Sequence, residues 1–104
     1  MPRLYFSPEA TLDVSIALER CRSVYPQNLP LLRDTLARVF DELEEAPRRW
    51  AIWRPPDYRR RLLPPFPFAV VYHLDGGGKI VVDALVDQRQ DPRRRFPVGH
   101  SAAS

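Results

Sequence analysis

The chain has 104 residues, 44% of them hydrophobic and 28% charged, which fits one domain around one core and excludes wholesale disorder. No window approaches the roughly 18 consecutive apolar residues of a membrane span, and Met1 to Ala10 hold no secretory apolar run, so the expected location is the cytoplasm. Charge is divided along the chain: residues 1–47 carry five arginines against eight acids, a net of −3, whereas residues 48–104 carry eleven bases against five acids, a net of +6.

Leu4 to Phe6 is a short apolar stretch and predicts a first strand. Ser7-Pro8-Glu9 then reads as an N-cap serine, a proline at the first helical position and an acid in the first turn, so a helix begins there. Ala10, Val14, Ala17, Leu18, Cys21, Val24 and Tyr25 recur at spacings of three and four and define its apolar stripe, and Pro26 closes it. Leu32, Leu36, Val39, Phe40 and Leu43 make a second stripe, ending at Pro47 after the acidic run Asp41 to Glu45. The two helices, over 8–25 and 29–45, are expected to form an antiparallel hairpin.

Residues 47–67 hold six of the twelve prolines, and PRRWAIWRPPDY has neither helical nor strand periodicity, which predicts a surface loop covering Trp50 and Trp53. Strand character returns at Tyr58 to Leu63. Phe66, Phe68, Val70, Tyr72 and Leu74 alternate with smaller residues, and Gly76 to Gly78 permit a tight hairpin into a last strand over Lys79 to Asp87. Alternation there sends Ile80, Val82, Ala84 and Val86 to the core, with Val81, Asp83, Leu85 and Asp87 opposite. The fold class is therefore α+β: an N-terminal strand, a two-helix hairpin and an antiparallel three-stranded meander. One domain spans residues 1–98, followed by a loose tail over 99–104.

The chemical inventory is small. Cys21 is the single cysteine, so neither an internal disulfide nor a cysteine metal cluster can form, and no His or Cys pair falls at metal-ligand spacing. Gly76 to Gly78 lack the following helix and Lys-Ser/Thr of a phosphate loop. His73, Lys79, Asp83 and Asp87 are the general-base candidates near the sheet, and His73 reads as a solvated strand-end residue, as does His100 in the tail. No catalytic residue, metal or cofactor is assigned. Fifteen of the sixteen bases are Arg, the side chain suited to bidentate grip on carboxylate or phosphate. Arg59, Arg60 and Arg61 before the hairpin, with Arg89, Arg93, Arg94 and Arg95 after it, are read as one partner-binding surface.

From Tyr5 to Arg95 the order of elements, Arg-Arg ahead of Phe66-Pro67-Phe68, the long hairpin and the closing VDALVDQRQDPRRR resemble the RelE/ParE toxins of bacterial type II toxin-antitoxin systems, most closely the ParE, or plasmid-stabilisation, branch. The family usually has Phe-Pro-Tyr where this chain has Phe-Pro-Phe. It usually ends the last strand with His-x-Arg-Arg-x-Pro, where this chain has Asp87 for the His and Gln90 for the second Arg. The resemblance implies a toxin that inhibits DNA gyrase by binding it. Its implied partner is a cognate antitoxin, small and of ribbon-helix-helix type, whose flexible C-terminal segment folds onto the toxin in a hetero-oligomer. Two alternatives stand beside it: a ribosome-dependent endoribonuclease of the RelE type, and an inactive homologue that only binds the antitoxin.

Overall fold

The computed structural model describes residues 4–90. Leu4–Phe6 forms β1, Pro8–Val24 α1, Leu29–Glu45 α2, Ile52–Arg54 β2, Tyr58–Leu62 β3, Phe68–Leu74 β4 and Ile80–Asp87 β5, with one turn of 3-10 helix at Pro26–Asn28 between the helices. The five strands make one sheet in the order β1-β5-β4-β3-β2. β1 runs parallel to β5, and every other pairing is antiparallel. The expected α+β architecture is present, with one strand more than the sequence suggested.

Local chemistry starts α1 as expected. Ser7 has an extended backbone, its Oγ accepts from Ala10 N at 3.0 Å, and Pro8 follows at the first helical position. Such a cap is worth about 1 kcal/mol. At the other end the Tyr25 N–H closes on Cys21 O at 2.7 Å, and Pro26 prevents continuation. The β4–β5 turn is held by Asp75, whose carboxylate accepts from Gly77 N and Lys79 N, both at 2.9 Å, while Gly78 takes the positive φ of 84°. These backbone bonds hold the Asp75 carboxyl below its ordinary pKa.

The main core lies between the helices and one sheet face. Leu32, Leu36, Val39 and Leu43 of α2 and Ala10, Ala17 and Cys21 of α1 meet Val70, Tyr72, Ile80 and Val82. Each large apolar side chain buried there contributes about 1.5–3 kcal/mol. Tyr72 is fully buried, and its Oη donates to Pro47 O at 2.7 Å, tying β4 to the exit of α2. The predicted α1 stripe is too long by one turn, because Val24 and Tyr25 are more than half exposed where the helix runs past the sheet.

Two further expectations change. The last strand does not alternate cleanly: Val71 pairs with Ala84 but Tyr72 pairs with Val82, so Asp83 is an extra residue, a β-bulge. Beyond it the faces exchange. Leu85 enters the helix-side core, while Ala84 and Val86 join Ala69 and Val71 on the opposite face, under Trp53 and Tyr58. The segment read as a surface loop contains β2, which pairs with β3, so the two tryptophans are separated by the sheet: Trp50 packs on the main core and Trp53 on the second face.

Candidate partner-binding site

A pocket of about 390 Å³ opens where the helix hairpin turns over the end of the sheet. Small residues on α1, Ala17 and Cys21, leave room beneath the 3-10 turn. Leu31 and Leu32 of α2 form one wall, and Phe66 and Phe68 form the floor. Phe66 and Phe68 are half-buried, packed against the main core on one side and facing the cavity on the other. Leu31 is 48% exposed and Tyr25 57%, so this end of the hairpin presents unpaired apolar surface around the cavity. Concave apolar sites with a few polar groups at the rim are the usual form of a binding pocket.

Arg20 and Arg89 supply those polar groups. Arg89 grips Asp87 through Nε to Oδ1 at 3.0 Å and Nη2 to Oδ2 at 2.6 Å. The Arg89 hydrogen bonds are the main cause of an Asp87 carboxyl held below its ordinary pKa of 3.8. Asp87 therefore orients an arginine at the pocket mouth. The acidic residue does not cancel the pocket's positive rim, because Arg20 also lines it and has no ion-pair partner among the described residues.

The other predicted arginines fall in separate places. Strand alternation divides the 59–61 trio between the two faces of the sheet. On the helix side Arg59 donates to Trp50 O at 2.5 Å, and Arg61 donates from Nε and Nη2 to Glu42 Oε1 at 3.1 and 2.9 Å. Arg61 and Arg49 also lie over the Trp50 ring, each 5.3 Å from its centroid. Arg60 is on the second face, 4.9 Å from the Trp53 centroid. Arg93, Arg94 and Arg95 lie outside the described residues, as does the tail over 99–104.

One arrangement on the second face escaped the sequence reading. His73 Nδ1 is 2.7 Å from Asp83 Oδ2, with both side chains partly buried and the Tyr58 ring edge-on to the imidazole at 6.1 Å. Burial pushes the Asp83 carboxyl up, partly offset by the His73 hydrogen bond. The bulge brings them together, since it aims Asp83 at His73, whose cross-strand neighbour is Val81. Among the described residues no group of three His, Cys, Asp or Glu side chains could hold a metal ion, and no helix is long and apolar enough to cross a membrane.

No protein-family model and no curated protein matches this chain. Its structure is similar to a chain in the structure described as the chromosomal ParDE TA system from P. aeruginosa, with a TM-score of 0.69 and 16% identity, over 84% of this chain and 96% of that one. At this identity the likeness shows the fold, and the fold is ParE-like, as the resemblance of the Phe-Pro-Phe and closing-strand segments implied.

Proposed function

We propose that the chain is a ParE-like toxin of a type II toxin-antitoxin pair, neutralised by a cognate antitoxin and acting on DNA gyrase by binding. The observation that carries this reading is the ParE-like fold, extending over nearly all of a chain from a ParDE TA system. The pocket supports it: an antitoxin segment that orders on binding needs an apolar anchor, and the cavity lined by Leu31, Phe66 and Phe68 offers one, with Arg20 and Arg89 positioned for its carboxylates. Arg89 is the predicted arginine nearest this role. Arg59, Arg60, Arg61, Arg93, Arg94 and Arg95 are proposed as outlying partner contacts that steer association. Growth arrest on induced expression, relieved by co-expressing a small antitoxin encoded beside this gene, is the expected behaviour. Growth unaffected by expression at high level removes the toxin reading and leaves an antitoxin-binding homologue.

A second reading, cleavage of ribosome-bound messenger RNA, is favoured by the His73–Asp83 pair alone. With its Nδ1 within hydrogen-bond distance of Asp83 Oδ2, His73 has Nε2 as the candidate base, on the sheet face that also carries Arg60. The two readings separate on His73→Ala, which abolishes toxicity only if His73 moves a proton.

A further inference from the structure

The hairpin pocket has the dimensions of a site for a small molecule. Its volume of about 390 Å³ lies within the range of such sites, about 300–1,000 Å³, and at the ~30 Å³ that a water occupies in the liquid it takes about a dozen non-hydrogen atoms. The lining is mainly apolar and, on one side, aromatic: Phe66 and Phe68 form the floor, the flat rings of Pro65 and Pro67 flank them, and Tyr25 stands at the rim. Aromatic rings gain from offset or edge-on contact beyond the area they bury, so a flat aromatic body suits this floor better than an alkyl chain.

Charge enters the lining through Arg20 and Arg89 alone. The two guanidinium groups converge, since both act on Asp87: Arg89 through its hydrogen bonds and Arg20 through space, each lowering the Asp87 pKa. Two cations against one carboxylate leave a net charge of +1 at the mouth. Arg20 has no ion-pair partner among the described residues, and Asn28, which makes no capping bond to α2, adds an amide to the lining. One excess positive charge matches a monoanion, and Asp87 beside it disfavours the second negative charge of a phosphate.

From this we propose that the pocket binds a small aromatic carboxylic acid, its rings on Phe66 and Phe68 and its carboxylate at Arg20 and Arg89. Arg89 holds Asp87 through Nε and Nη2 and keeps Nη1 for the acid, while Arg20 offers its whole fork. Bound there, the acid fills the anchor assigned to the antitoxin segment and competes with it. That competition rests on the toxin–antitoxin reading; the binding itself does not.

The test is isothermal titration calorimetry of the full chain with naphthalene-2-carboxylate, a two-ring acid that matches the cavity in size. Naphthalene-2-methanol, which lacks the charge, decanoate, which lacks the rings, and inorganic phosphate serve as comparisons. The naphthalene acid is expected to bind about tenfold or more tightly than each of them. Arg20→Gln should weaken it about fivefold, Ala17→Leu, which fills the cavity from α1, about tenfold or more, and Arg38→Glu, outside the lining, should leave it unchanged. Circular dichroism confirms that each variant is folded, and because Arg20 is exposed, Arg20→Gln tests the site without touching the core. The chain is titrated alone, so failure here leaves the toxin–antitoxin reading standing, and absence of growth arrest leaves this site standing. No saturable binding of the acid, equal binding by folded Arg20→Gln and Arg38→Glu variants, or binding of the alcohol, decanoate or phosphate as tight as that of the acid would each overturn the proposal.

Discussion

Asp13 on α1 accepts a hydrogen bond from the backbone N–H of Leu85 at 3.0 Å, across 72 residues of sequence. Pairing of β1 with β5 ends at Phe6 and Val82, and the start of α1 supplies partners for the backbone groups of β5 just beyond it. Ser7 contributes two of these bonds: its N–H donates to Val82 O at 2.9 Å and its Oγ to Asp83 O at 3.0 Å. A helix start thus supplies the partners that β1 does not. Asp13→Ala should cost about 1–3 kcal/mol in denaturant unfolding, the range for an orphaned buried donor, and Asp13→Asn should recover much of it because an amide oxygen still accepts. Equal losses in the two variants would assign the effect to charge.

Tyr72 gives a pH-dependent prediction. Burial pushes its phenol up from 10.0 to about 12, partly offset by nearby Arg59. A raised native pKa means that its contribution to stability is complete below pH 10 and is lost as pH rises through about 12. Ultraviolet titration should show a tyrosine step near pH 12. Tyr72→Phe should remove that late step and lower stability by about 1 kcal/mol through loss of the bond to Pro47 O.

The Asp87–Arg89 pair titrates in the opposite sense. Its native carboxyl pKa is depressed, so the stabilisation is present above the ordinary value of 3.8 and lost as pH falls through the lower native value. The difference in thermal midpoint between the parent chain and Asp87→Asn should be present at neutral pH and shrink below pH 4. A difference independent of pH would remove the ion pair as its cause.

Leu31 separates folding from binding at the pocket. Nearly half exposed, it should tolerate Leu31→Asp with less than about 1 kcal/mol lost. A carboxylate in the pocket wall should nevertheless abolish neutralisation by the antitoxin, measured as loss of rescue in co-expression. Full rescue would place the antitoxin elsewhere.

Much of the architecture was legible in the sequence because long elements carry strong periodicity: the α2 stripe, the Ser7-Pro8 cap and the Gly76–Gly78 turn all mark their elements directly. What failed was local. Asp83 reverses the faces of the residues after it, and a bulge leaves no mark in an apolar run such as IVVDALVD. β2 is three residues long between prolines, too short for alternation to show. The pocket was hidden for a different reason, since its walls come from α1, the hairpin turn, α2 and the Phe-Pro-Phe segment, which only the fold brings together. The division of Arg59 to Arg61 between faces was readable, because alternation within the strand itself places Arg60 opposite its neighbours.

The central claim is that the chain is a toxin that acts by binding gyrase. Its most direct measurement is a pair of reactions with purified protein: supercoiling of relaxed plasmid by gyrase, and translation of a messenger RNA followed by primer extension. The account predicts inhibited supercoiling, undiminished in His73→Ala, and intact ribosome-bound RNA. Codon-positioned cleavage of that RNA, lost in His73→Ala, with gyrase unaffected, would contradict it.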